Sequence, residues 1–583
     1  MQSPIRVLAL PLLLSALGLA AACASPAVAA DDASSPGDGA TGLRGVQPPA
    51  RMRDDPSAVD SLFLAGRAAL DDGHGREASE FYARAARADP GALLQDRAFT
   101  AALFAGEVHR AAELAPTGDE GSLGMQQLGR ATRAVDLIAL GRYREAEALL
   151  AGDPIGDHRS ILVLLKPWAA AGAGDWPAAL TLPNPHGDRL VEELSRLDQA
   201  LLYERAGRMD DADAAFRNLA GGGEGVALYT TRYGEFLERQ GRRKDAVALY
   251  AAALKAGGAS GALTAAVQRA EAGGPAPAAP TIAQGAGRAL LGPAALLIAE
   301  KQPELGVVYL WLVLRLDPGR DEAWLLAGDA MATAGDVDSA RAAFGHVSTT
   351  SPDYVEARSR LIGAYQGSAD AGTALRLARE TAKAAPDNDE AQLLLADCLR
   401  AGEQYAESAR VLDGVIARAG DHADWQVYYM RGVALAEDGR WTEGEKDLTK
   451  AMAMRPDEPD ILNYLGYSWI EHGEHQAQAR AMLARAVAAK PDSGALLDSL
   501  GWADYQLGDI AQAVPTLEQA AALEPAEPEI IDHLGDAYWR AGRKLEARYQ
   551  WERVLSLGPP AKLRQAVEAK LKDQGPPATV AAR

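Results

Sequence analysis

Cysteine is nearly missing from this 583-residue sequence; there are two, Cys23 and Cys398. Two such residues supply no metal cluster and no CxxC redox pair. Cys398 falls in a helical run, residues 391–400, where a small apolar side chain is expected to be buried. Aromatic residues are scarce as well, 6% of a chain that is 48% hydrophobic. An Ala- and Leu-rich chain with few rings points to stacked helices with small residues at their contacts. That apolar content argues against disorder over most of the length. A basic excess is also missing, since 59 Lys and Arg face 80 Asp and Glu for a formal net charge of −21. With no basic stripe, a nucleic-acid partner is repelled. Solubility by itself accounts for the charge.

The signatures of catalysis are missing too. There is no G-x-S-x-G elbow, no H-E-x-x-H, no phosphate-binding G-x-x-x-x-G-K-[ST] and no dinucleotide fingerprint. The nine histidines are scattered. His472, Glu474 and His475 share one Gly-containing turn, but no further ligand accompanies them and exposed turn residues are the expected reading. Neither an enzyme nor a cofactor is expected.

What is present begins with a leader. Arg6 precedes an apolar run, residues 7–22, broken only by Ser15. That is short for a membrane span and right for a signal peptide. Two processing sites compete. Ala20-Ala21-Ala22-Cys23 resembles a bacterial lipobox, in which Cys23 is acylated and becomes the new N-terminus. Ala27-Val28-Ala29 reads as an A-x-A site for release. The lipobox is the preferred reading. It makes lipidated Cys23 the sole membrane anchor, and the lack of Asp after it implies the outer membrane. Residues 24–57, rich in Pro, Gly and Asp, read as a flexible tether.

The rest of the chain repeats. Trp324, Gly328, Ala340, Phe344 and Pro352 recur in register with Leu534, Gly535, Tyr538, Ala547, Trp551 and Pro559. Numbering the small residue as position 8, that position falls at 432, 466, 501 and 535, with spacings of 34, 35 and 34. Positions 4, 7, 8 and 11 share one face of a first helix, and positions 20, 24 and 27 one face of a second. Small residues at 8 and 20 let the two helices approach, and a large one at 24 fills the gap. A proline at position 32 of the unit ends the second helix. Each pair leaves an apolar face that the next pair buries. The pattern resembles the tetratricopeptide repeat (TPR). It implies an all-α helix-turn-helix solenoid of about 11–13 repeats. Copies are regular from 286 to 572 and degenerate from 58 to 271. The three prolines of residues 272–285 read as a linker between these two arrays, and residues 573–583 as a disordered tail.

In the TPR family, positions 2, 5, 9, 12 and 13 of the first helix line a concave groove. Carried onto this sequence, the row holds Tyr429, Asn463, Tyr467, Asp498, Trp502, Tyr505, Asp532, Asp536, Trp539 and Arg540. Aromatics of this kind are natural protein-binding anchors, although each can equally pack on its neighbouring repeat. The Asp residues stand where carboxylate-clamping TPRs carry Lys, Arg and Asn, which argues against chaperone-tail recognition. From Pro459 to Gly558, the segments DSLGW and HLGDAYWR are similar to the last repeats of proteobacterial outer-membrane TPR lipoproteins. That resemblance implies an adaptor binding a periplasmic carboxyl-terminal processing protease, a serine protease, and delivering peptidoglycan hydrolases to it. The alternatives are an assembly scaffold for envelope or polysaccharide-export machinery and a peptidoglycan-associated cell-division factor.

Overall fold

The computed structural model describes residues 56–71, 75–89, 91–116, 122–221, 226–256, 261–366, 370–573 and 575–576. The leader and the tether up to residue 55, with Cys23 and the alternative site at Ala29, lie outside them, whereas residues 56–57, expected as the end of the tether, already open the first helix. So does the tail beyond Pro576. The described residues form thirty α-helices, numbered along the chain from α1 (Pro56–Asp71) to α30 (Ala561–Asp573), one 3₁₀ turn at Gly420–His422, and no strand. They divide into two compact units between Asp370 and Ala371.

In the N-terminal unit, α1 to α12 form six successive helix-turn-helix pairs. The small-over-large rule operates as the spacing predicts. Tyr250 of α12 (Arg243–Lys255) lies so close over Gly234 of α11 (Val226–Arg239) that a Cβ there would sit 2.1 Å from the ring. Phe344 covers Gly328 in the same way, at 2.4 Å. Repeats are hard to see in this half for a structural reason. Three second helices are truncated: α4 (Val108–Leu114), α6 (Tyr143–Leu149) and α8 (Trp176–Ala179) have seven, seven and four residues. They leave no room for the later signature positions.

The Pro-rich segment departs from expectation. Its residues up to Pro280 are non-helical, as three prolines require, but they do not separate two compact units. Arg205 donates to the Pro280 carbonyl at 2.6 Å, Arg239 to that of Pro277 at 3.0 Å, and Arg243 to that of Gly274 at 2.7 Å. The segment is strapped down along its length. It ends at Thr281, where a reciprocal capping box with Gln284 starts α14 (Ile282–Ala299), so residues 282–285 are already helical.

Helix α14 and its partner α15 (Pro303–Leu316) then turn back onto the early repeats. Helix α14 packs against α7 (Arg159–Ala173) and α9 (Arg189–Arg205); α15 packs against α3 (Ala92–Phe104) and α5 (Leu123–Ala139). These four are the first helices of their pairs, the ones that line the inside of such a curl. The N-terminal unit therefore fills its own groove with a helical hairpin. Trp168 of α7 sits where a Cβ on Gly285 of α14 would come within 2.1 Å. Asp198 of α9 and Arg288 of α14 form an ion pair with only 1% and 6% of their side chains exposed. Arg315 of α15 meets Asp136 of α5 at 2.8 Å, and His158 Nδ1 hydrogen-bonds the Tyr309 hydroxyl at 2.7 Å. Loss of water pushes the Asp198 carboxyl up to about 6, against the pull of Arg288. Enclosure also explains why α14 is apolar around its circumference. It is long and apolar enough to cross a membrane, yet half of it is buried inside this unit.

The C-terminal unit opens with α19 (Ala371–Ala384) and continues in five pairs: α20 (Asp389–Ala401) with α21 (Tyr405–Ala419), α22 (Trp425–Glu437) with α23 (Trp441–Met454), α24 (Pro459–His472) with α25 (Gln476–Ala489), α26 (Gly494–Gln506) with α27 (Ile510–Leu523), and α28 (Pro528–Arg540) with α29 (Lys544–Ser556). Trp551 closes on Gly535 and Leu517 on Gly501, with Cβ approaches of 2.5 and 2.7 Å. The one inserted residue is absorbed in the turn after α24, where Gly473 and His475 both take left-handed backbone angles. Cys398 is buried in α20. With α16 (Asp321–Thr333) and α17 (Val337–Gly345), the described pairs number thirteen, eight in the first unit and five in the second.

Candidate partner-binding groove

The first helices α20, α22, α24, α26 and α28 follow one another side by side, as α20 with α22, α24 with α26 and α26 with α28 show. Among the described residues of this unit, no other helix lies across their row. The groove residues expected from the sequence fall into two groups.

The first group is internal. Asp498 receives His533 Nδ1 at 2.9 and 3.0 Å. The carboxylates of Asp498, Asp532 and Asp536 beside it hold the His533 imidazolium charged, raising its pKa to about 9 against the cost of burial. Trp502 stacks on that imidazole at 4.0 Å and on Tyr505 at 4.8 Å, and donates from Nε1 to Glu471 at 2.8 Å. Tyr505 is 2% exposed; its carbonyl accepts from Arg540 at 3.0 Å, and the guanidinium lies over its ring. Asp532 and Asp536 both accept from Lys570 of α30 at 2.8 Å. Asp536 also accepts from Trp551 Nε1 at 3.1 Å. Trp539 lies under the Lys544 ammonium, and the backbone of Gly575 rests against its Nε1 edge. The three aspartates are thus spent on cations of this chain rather than presented as free acids. Expecting them as open groove acids overlooks His533 and Lys570. A signal exists for Lys570, which lies 34 residues beyond Asp536 and so occupies the same row one repeat later.

The second group stays half-buried on the open row: Tyr429, Asn463 and Tyr467. Tyr429 meets Tyr464 edge-on at 6.3 Å. Burial pushes the Tyr467 hydroxyl well above its usual range, and the charges of Glu471, Asp498 and Glu529 push it further the same way. Asn463 has a carbonyl oxygen shielded from solvent with no hydrogen-bond donor. Glu471 is exposed at the edge of the row.

The turn that gathers two histidines and a glutamate is occupied by tryptophan packing. His472 stacks on Trp441 at 4.4 Å, His475 tilts against Trp469 at 4.7 Å, and Glu474 accepts from Trp441 Nε1 at 3.2 Å. Among the described residues, no group of three His, Cys, Asp or Glu is placed to hold a metal ion.

Helix pairs at this spacing, closed by a small residue under a large one, define a tetratricopeptide-repeat solenoid. Tetratricopeptide repeat models match residues 197–261, 429–494 and 499–562, and a second such model matches 366–427. A TPR repeat-containing protein of Pseudomonas aeruginosa, PA4667, is 26% identical over 201 residues. The match covers 34% of this chain and 28% of that relative's length. Among solved structures, the Cut9–Hcn1 anaphase-promoting-complex assembly is similar over 88% of this chain and 96% of its own, at 14% identity and a TM-score of 0.37. A MamA structure covers 28% of this chain and 94% of its own, at 23% identity and a TM-score of 0.25. Repeats of this kind form non-catalytic surfaces for binding other proteins.

Proposed function

We propose that this protein is an adaptor of the bacterial cell envelope that holds protein partners in its C-terminal groove. One observation carries the reading. The first-helix row through Tyr429, Asn463 and Tyr467 is left open in the C-terminal unit, whereas the N-terminal unit covers its own inner face with α14 and α15. The leader in residues 1–30 supports an envelope location, with Cys23 as the lipid anchor and the periplasmic side of the outer membrane as the address. The likeness of the last repeats to adaptor lipoproteins supports a serine protease of the carboxyl-terminal processing type and peptidoglycan hydrolases as partners.

Affinity purification of the full chain from solubilised envelope tests this. The expected result is co-recovery of such a protease with cell-wall hydrolases, and their loss from a Tyr467→Ala variant of unchanged helical content. Recovery of export-channel subunits alone overturns the proteolytic reading in favour of an assembly scaffold. For the anchor, Cys23→Ser is expected to release the protein from the membrane fraction; unchanged membrane association rules the lipoprotein out.

A further inference from the structure

The residues already filled in the C-terminal groove show what this groove accepts. Where a first-helix aspartate of the last repeats is satisfied, the occupant is a cation. Lys570 is held between Asp532 and Asp536, and His533 lies against Asp498 with its ring on Trp502. Each is a charge-assisted contact, and His533 adds an aromatic face to it. Upstream, the same row offers ring surface and a carboxylate again. Tyr429 and Tyr467 supply the rings. Glu471 stands at the open edge and accepts from the neutral Trp502 Nε1; among the described residues, no cation of this chain is paired with it. Asn463, one turn before Tyr467 on α24, stays half-buried on the row. The nearby charges are already engaged. Asp460, at position 2 of the same helix, meets Lys490 at 3.2 Å, and Arg400, an arginine of this row, meets Asp397 at 2.8 Å.

Resting on the groove reading above, we propose that the stretch from Tyr429 to Glu471 takes an extended peptide segment bearing lysine or arginine. The cationic side chain lies against Tyr467, beside Glu471. Lys570 and His533 are the chain's own version of that contact. Charge complementarity fits the occupant, because an anionic segment would meet a protein of net charge −21 and find no unpaired cation along this row among the described residues.

Panning a random twelve-residue peptide library on the full-length protein tests the proposal. Recovered peptides should be enriched in Lys and Arg. Their affinity should fall at least tenfold with Glu471→Lys, at a solvent-exposed position, and by less with Glu471→Gln. Exchanging the peptide's basic residue for Glu should restore binding to Glu471→Lys. Acidic or neutral peptides that lose affinity with Tyr467→Ala but not with Glu471→Lys overturn the cationic partner and leave the groove reading standing. Peptides indifferent to Tyr467→Ala and Asn463→Ala, or no enrichment at all, overturn the groove reading itself.

Discussion

Lys570 Nζ lies 2.8 Å from both oxygens of Asp532, so α30 is fastened to α28 by an ammonium–carboxylate contact that solvent barely reaches. Its apolar anchorage is modest: Val567 is buried, Leu563 and Leu571 pack partly buried on the same core, and Arg548 donates to the Leu571 carbonyl at 3.1 Å. Lys570→Met removes the one cation that both Asp532 and Asp536 hydrogen-bond and leaves them only the neighbouring His533 charge, a loss of about 3–5 kcal/mol for a buried pair. Hydrogen exchange should then accelerate through residues 561–573 and leave α24 and α26 unchanged. Protection in α30 equal to that of the unmodified protein would show that the ion pair does not secure it.

The His533–Asp498 contact sets an alkaline limit. An imidazole whose folded pKa stands near 9 rather than 6.5 stabilises the fold fully below about pH 6.5. That contribution is lost as pH rises through 9. The difference corresponds to at most about 3 kcal/mol. Denaturant titrations monitored by hydrogen exchange in α26 and α28 should show this loss between pH 7 and 10, and His533→Gln should flatten it. Because the imidazolium lies on Trp502, fluorescence from that indole should rise over the same interval.

Gly285 admits no side chain while Trp168 stays in place. Gly285→Ala forces the α14–α15 hairpin off α7, and overpacking of this kind costs about 1–3 kcal/mol or more. Increased exchange should appear in α7, α9 and α14 together. A change confined to α14 would mean that the hairpin is not the keystone of the N-terminal unit.

The Asp198–Arg288 pair should respond differently to single and double replacement. Either partner changed alone leaves a charge buried, at about 3–5 kcal/mol, whereas Asp198→Leu with Arg288→Met removes both and should recover most of that loss. The Asp198 carboxyl, held up to about 6 by burial, also adds its own pH dependence. Its folded pKa is above its unfolded value, so its charge destabilises the fold at neutral pH. That cost is relieved as pH falls from 6 towards 4. Calorimetry across that interval, with and without Asp198→Asn, reads the effect.

Repeat spacing, the Gly-under-aromatic contacts and the C-terminal pairs are all readable from the sequence, because each rests on residues a fixed distance apart in one helical hairpin. Phe344 over Gly328 is such a case. The return of α14 is not legible there. Trp168 and Gly285 are far apart along the chain, and nothing at either position names the other. The prolines of 272–285 do forbid a helix up to Pro280. Whether such a segment swings free or is tied down depends on Arg205, Arg239 and Arg243, whose partners are backbone carbonyls without a sequence mark. In the groove, residue types are visible but occupancy is not. Asp532 looks the same in a sequence whether it faces water or Lys570.

Closure of the N-terminal unit by its own hairpin has a consequence for how such a chain can change over generations. In an open array each repeat answers only to its neighbours, so copies can be gained or dropped one at a time. The α20–α29 array retains that freedom. Once α14 and α15 must reach α3, α5, α7 and α9 together, adding or deleting one early pair shifts every one of those contacts out of register. The N-terminal unit is therefore fixed in length and behaves as a single cooperative body, while the C-terminal array can lengthen to suit whatever it binds.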